Sequence, residues 1–216
     1  MTAEARQLLD AVRAGLSPPG ERNRLVPEIA AGRAPLSVIG ALATEEMVIV
    51  PSDRRSFLTL AANAAEPATA DFFADLGKGE NLVLGTLPAM ADAAGFDSGT
   101  RRDYRPRAGC QAYPAYLAWL ALNAEPAAVV LAVTANFAAW ASYCATLSAA
   151  LRTEYGFGDE ACAFVDFFAE PAPALEELAV TAIEQALDGR GTVARGQEYG
   201  RLLQEYELMF WNTLAG

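Results

Sequence analysis

PAAVVLAVTANFAAWASYCATLSAAL, residues 126–151, carries no charged side chain over a length that could cross a bilayer. Its composition decides otherwise. Thr134, Asn136, Ser142, Tyr143, Thr146 and Ser148 stud it, and alanine, which adds little to membrane insertion, supplies much of the rest. The stretch reads as the buried central helix of an all-α protein, with no membrane span. Such a helix needs other helices around it, and the rest of the chain provides candidates.

Working outward, the breaks fall at Pro and Gly while Ala and Leu fill the intervals. A first helix is expected from about Ala3 to Gly15, with Leu8, Leu9, Val12 and Leu16 on one face, stopped by Ser-Pro-Pro-Gly at 17–20. A short helix near 22–31 ends at Gly32. Another starts after Pro35, with Ser37 as its cap, runs towards Val50, is interrupted at Pro51 and Ser52, and resumes from Asp53 to about Ala64. Segment 68–94 is helical in pattern but broken at Gly77, Gly79 and Gly85. Residues 96–108, holding Arg101, Arg102, Arg105 and Arg107, read as a loop. Further helices are expected near 110–123, 126–154, 159–169, 173–187 and 192–214. Val48-Ile49-Val50 is the strongest β-like signal, too short to outweigh the helical pattern around it. With no internal repeat or linker, residues 1–216 read as one domain.

The net charge is −11 and 53% of residues are hydrophobic. That field repels phosphate backbones and anionic head groups, so neither nucleic acid nor a membrane surface is an expected partner. Cys110, Cys144 and Cys162, with no Cys-x-x-Cys pair, fit a reducing compartment. The opening residues carry no apolar signal-like core, and a cytoplasmic location is expected.

The sequence has no histidine. That removes Ser-His-Asp and Cys-His dyads, a histidine-held haem, and His-containing zinc and iron sites. Acid–base chemistry falls to carboxylates, tyrosines, lysines and cysteines tuned by burial, and no metal or other cofactor is expected.

The last helix closes on Tyr206-Glu207-Leu208-Met209-Phe210-Trp211. It resembles the Tyr-Glu-x-x-Phe-Trp close of the TenA/THI-4 (thiaminase II) family. Ala112-Tyr113-Pro114-Ala115-Tyr116-Leu117 is similar to that family's Ala-Tyr-Thr-x-x-Leu helix, and Leu42 to Phe57 more weakly to its Gln-Asp-x-x-Tyr-Leu segment. The resemblance implies a haem-oxygenase-like helical bundle with a central pocket. It also implies a cytoplasmic homo-oligomer, dimer or tetramer, acting without metal on thiamin- or aminopyrimidine-related ligands. Family members cleave a C–N bond with a cysteine nucleophile in a Pro-Cys-x-x-x-Tyr helix, helped by an Asp, tyrosines and the closing Glu.

Carried over by position, the resemblance assigns Glu207 to the closing Glu, Phe210 to the stacking aromatic one turn on, and Tyr113 to a hydrogen-bonding pocket tyrosine. Spacing from Tyr113 puts Asn136 where the nucleophile belongs and Trp140 at the tyrosine four residues later. Phe164 or Phe168 falls at another pocket tyrosine. Glu45 or Glu46 replaces the Asp, whose tyrosine partner becomes Val48 or Ile49. The departures cluster in the chemistry, since an amide does not attack carbon as a thiolate does. Glu207 and Glu46 are the expected acid–base pair; Tyr113, Asn136, Trp140, Phe164, Phe210 and Glu45 are the expected ligand contacts.

Other polar residues read more plainly. Cys110, at a helix start where the dipole lowers a thiol pKa, is the one alternative nucleophile. Cys144 and Cys162 read as apolar fillers. The arginines of 101–107, and Asp53, Arg54 and Arg55, read as solvated surface pairs.

Overall fold

A computed structural model describes residues 2–16, 22–188 and 193–216. The 17–20 stop and the expected helix start at 192 lie outside the described residues. The order is α1 (Thr2–Gly15), α2 (Leu25–Ala30), α3 (Leu36–Asn63), α4 (Pro67–Val83), α5 (Leu87–Ala93), α6 (Ser98–Asp103), α7 (Ala108–Asn123), α8 (Pro126–Thr153), α9 (Asp159–Ala169), α10 (Pro173–Asp188) and α11 (Gly196–Ala215). Among the described residues there is no strand, and Val48-Ile49-Val50 is helical.

Helix α8 is the axis. Every residue from Pro126 to Asn136 is buried, and α1, α2, α9, α10 and α11 pack around it. It is long and apolar enough to cross a membrane, yet here it is the helix around which the others assemble. Pro126 at its first position needs no N–H partner and presets the helical φ. Near its far end Arg152 bridges Asp159 and Asp166 at 2.9 and 2.8 Å, joining α8 to α9.

The interior divides into two apolar clusters. One gathers α2, α5, α9, the first half of α3 and the last turns of α8 and α11 around Trp211. The other gathers α1, α4, α10, the end of α3, most of α7 and the first half of α8. Helices α3, α7, α8 and α11 run through both, and Tyr113 packs against both. Between the two clusters lies a waist where the chain places polar side chains.

Several boundaries differ from expectation. Helix α3 is continuous for 28 residues with Pro51 inside it. Proline there forfeits one bond to the carbonyl four residues back. The helix holds because Ile49 and Val50 before it and Asp53, Ser56 and Phe57 after it are all buried on neighbours. Pro35, not Ser37, precedes its first turn. Helix α4 runs through Gly77 and Gly79: a Cβ at Gly77 would sit 3.1 Å from Leu58, so the glycine marks close approach of α4 to α3 rather than a break. The expected loop at 96–108 contains α6, whose first turn is capped by Asp97 accepting from the Thr100 N–H at 2.8 Å. Arg101 there pairs with a carboxylate, Asp92, as expected, but it is not a solvated arginine: its side chain is 17% exposed and also donates to the Phe96 carbonyl.

Gly40 lies against the Phe96 ring, where a Cβ would overlap it. In an open helix Gly→Ala stabilises by about 1 kcal/mol. Gly40→Ala is instead expected to destabilise by about 1–3 kcal/mol in denaturant melts. Adding Phe96→Ala should reverse the sign of the Gly40 effect, and a Gly40→Ala change that stabilises alone would refute the close contact.

Candidate functional site

The face that α3 turns inward repeats at helical spacing: Glu46, Ile49, Val50, Asp53 and Phe57 all line one cavity. Opposite them stand Glu80 of α4, Tyr113 of α7, Asn136, Phe137 and Trp140 of α8, Phe168 of α9, and Glu207 and Phe210 of α11. The site sits at the waist between the two apolar clusters, where crossing helices can offer polar groups without opening either.

Its best-defined contact joins α8 to α11. Asn136 Nδ2 donates to Glu207 Oε2 at 2.8 Å and reaches Gln204 Oε1 at 3.2 Å; Trp211 Nε1 donates to Glu207 Oε1 at 3.1 Å. Asn136 and Glu207 are 3% and 4% exposed. Burial raises the Glu207 pKa, the Trp211 and Asn136 donors pull it back, and the balance leaves it at about 7.

The other wall carries three more carboxyls. Glu46 is pushed well up by burial and by Glu80, Glu45 and Glu207; Asp53 by burial, Glu80 and Glu46; and Glu80 to about 8 by burial. Tyr113 rises too, through burial and then the charges of Asp53, Glu207, Glu80 and Glu46. No lysine or arginine lines the cavity. Among the described residues no three of its acidic or cysteine groups converge tightly enough to hold a metal ion.

Of the residues expected from sequence, Glu46, Tyr113, Asn136, Trp140, Glu207 and Phe210 come together on this cavity, and two do not. Glu45 turns the other way. Its carboxylate accepts from Tyr104 Oη at 2.8 Å, the Arg107 N–H at 2.7 Å and Gln111 Nε2 at 2.7 Å, so it fastens the start of α7 to α3. Adjacent helical residues diverge by about 100°, and here Glu46 faces the cavity while Glu45 is held by its three donors on the side of α7. Phe164 is likewise behind the wall: it meets Phe168 edge-on at 5.2 Å, and Phe168 provides the lining, with Trp140 against it at 5.7 Å.

The thiol alternative fails on burial. Cys110 lies off the cavity, fully buried, with Sγ 3.9 Å from the Phe210 carbonyl. Burial, then the Glu45 charge, push its thiol to about 12, which outweighs the helix start. Cys144 and Cys162 are buried fillers as expected.

Asp53 and Glu80 are the residues that sequence reasoning missed. Asp53 is not a surface pair: it is 6% exposed, and its Oδ1 is buried without a hydrogen-bond partner. The α3 stripe 46-49-50-53-57 could have found it, had Pro51 not been taken as a break. Glu80 was obscured by the glycines before it, which bring α4 against α3.

The cavity volume is about 60 Å³. A dry engineered cavity takes benzene at about 150 Å³, so a ring enters here only as lining side chains turn. Phe137, Trp140 and Phe168, each only partly buried, are placed to turn.

Comparison with solved structures shows the same fold. A TenA homologue from Pseudomonas syringae pv. tomato superposes with a TM-score of 0.72 at 11% identity, over 99% of this chain and 91% of that one. A domain of unknown function with a haem oxygenase-like fold from Shewanella denitrificans gives 0.70 at 12%, over 99% and 89%. A TenA homologue from P. horikoshii gives 0.68 at 14%, over 99% and 97%. No family model and no curated protein matches the chain by sequence.

The raised carboxyls make stability pH-dependent. Glu207 and Glu80 have folded pKa values of about 7 and 8 against an ordinary 4.5, so the fold favours their protonated forms. Their contribution is complete below about pH 4.5 and is lost as pH rises through 7 and 8, for Glu207 about 3 kcal/mol at most. Carboxylates with lowered pKa, such as Asp166, stay ionised in both states above pH 5 and add no slope there. Urea midpoints should therefore fall from pH 5 to pH 9, and Glu80→Gln should flatten the decline. A flat wild-type profile would show that these carboxyls are not buried as described.

Proposed function

We propose that this chain is a TenA-type protein whose waist cavity binds a small heteroaromatic amine of the aminopyrimidine class, with Glu207 and Glu46 as its acid–base pair. The observation that carries this is a pair of buried carboxyls on opposite walls of one cavity, in different surroundings. Burial and the neighbouring carboxyls push Glu46 well above the ordinary carboxyl range, whereas the Trp211 and Asn136 donors leave Glu207 at about 7. Aromatic rings surround them, and Asn136 holds Glu207 in place.

Asn136 occupies the position that the resemblance gives to a nucleophilic thiol, so no covalent intermediate forms there. Hydrolysis of a C–N bond then uses water directly. Glu207 accepts the water proton as its oxygen bonds to carbon and the C–N electron pair goes to nitrogen; a neutral amine then takes the Glu46 proton, while a thiazolium or an ammonium leaves as the neutral thiazole or amine without one. The same replacement supports a second reading, a binding protein that keeps the pocket without turnover.

Incubation with thiamin and with 4-amino-5-aminomethyl-2-methylpyrimidine, followed by mass analysis, separates the readings. The enzyme reading expects alcohol and free amine to accumulate, with a rate optimum near pH 7 and a loss of at least about a hundredfold in Glu207→Gln. Ligand-induced thermal stabilisation without product supports the binding reading. If neither compound reacts or stabilises, the aminopyrimidine assignment is wrong.

A further inference from the structure

We propose that Asp53 and Glu80 form an ammonium subsite at the α3–α4 side of the cavity, so that the ligand carries a protonated amine away from the group held at Glu207. This rests on the cavity being the binding site and specifies what it binds.

Three observations converge on it. Asp53 is more than nine-tenths buried and lines the cavity, and its Oδ1 is buried with no hydrogen-bond partner. An unpartnered buried carboxyl oxygen is costly to keep unless something occupies the space before it. Glu80 reaches the same cavity from α4, and neither it nor Glu46 has a hydrogen-bond or ion-pair partner among the described residues. At the other side the acceptors are engaged: Glu207 takes both Asn136 and Trp211. The free acceptors are thus gathered on one side of a cavity without a lysine or arginine.

The lining favours an organic cation over a metal ion. The acidic groups do not converge as metal ligands do, whereas Phe57, Phe137, Trp140 and Phe168 offer aromatic surface around them. An alkylammonium needs this combination, a charge-assisted hydrogen bond from N–H to carboxylate and rings beside its methylenes. The groups facing Asp53 and Glu80 are Glu46 on α3, Tyr113 on α7 and Glu207 on α11; α8 and α9 contribute neutral side chains. Arrival of a cation therefore favours the ionised forms of carboxyls whose pKa burial raises, and binding releases protons.

Calorimetry with two probes that share a ring tests the subsite: 4-amino-5-aminomethyl-2-methylpyrimidine and its 5-hydroxymethyl counterpart. The amine should bind at least about tenfold more tightly, the worth of one charge-assisted hydrogen bond. Its binding heat should vary with buffer ionisation enthalpy, reporting proton release near pH 7. Asp53→Asn should abolish both advantages, so that the two pyrimidines bind alike, and Glu80→Gln should reduce them. 1,4-Diaminobutane, which has no ring, tests the subsite alone. If both pyrimidines bind equally, the ammonium subsite is overturned and the ring pocket stands. If neither pyrimidine binds but the diamine does, in an Asp53-dependent way, the subsite stands and the aminopyrimidine reading falls. If no probe binds, both are overturned. Thermal melts of each variant confirm that loss of binding is not loss of fold.

Discussion

The contact between Asn136 and Glu207 organises the waist of this molecule. It lies where α8 and α11, each shared between two apolar clusters, cross at the level of the cavity. A buried carboxyl there would be costly without donors. Asn136 and Trp211 supply them, and Gln204 satisfies Asn136 in turn. With this pairing the two helices can be apolar above and below the crossing, which fixes their register and the position of the aromatic walls.

The cavity follows from that arrangement. Its two sides are chemically unlike: Glu207 is held by donors, while Asp53 lines the cavity with its Oδ1 buried and unpaired. Glu46 lies on α3 between them in the lining stripe. Because these carboxyls sit close in a poorly hydrated space, Glu80, Glu45 and Glu207 add to burial in raising Glu46, and Glu80 and Glu46 add to it in raising Asp53, so full ionisation of the group is disfavoured. Charge at the site is thus shared among carboxyls, and any ligand that brings positive charge redistributes it.

Most of the fold was legible from the sequence, and the reasons are specific. Helix α8 announced itself because burial on all sides demands an uncharged run, and α9 was expected at its observed bounds, Asp159–Ala169. The errors came where local propensity opposed tertiary packing. Pro51 and Gly77 read as breaks, yet buried neighbours carry α3 through the first, and the second lets α4 close on α3. Those same misreadings hid Asp53 and Glu80, since a helix cut at Pro51 has no continuous inward stripe. Glu45 and Glu46 could not be separated without knowing the rotation of α3. Phe164 and Phe168 presented the same difficulty on α9. The Asn136, Glu207 and Tyr113 positions came instead from the family resemblance, which fixes spacing between motifs that local patterning cannot.

The missing histidine acquires a physical counterpart here. Neutral-pH proton transfer ordinarily uses imidazole because its pKa lies near 6.5 without help. A carboxyl reaches that range when the loss of hydration outweighs the gain from hydrogen bonding by about 3 kcal/mol. Glu207 meets this condition: burial alone would carry it higher, Asn136 and Trp211 alone would hold it lower, and together they leave it at about 7. The tuning belongs to the pair, not to Glu207 itself. The side chain at 136 therefore sets the protonation of the group at 207, and an amide does so without carrying charge. A thiolate at 136 would add a negative charge beside Glu207 and drive its pKa further up. An uncharged amide at 136 thus leaves the neighbouring carboxyl at about 7, within reach of titration near neutral pH.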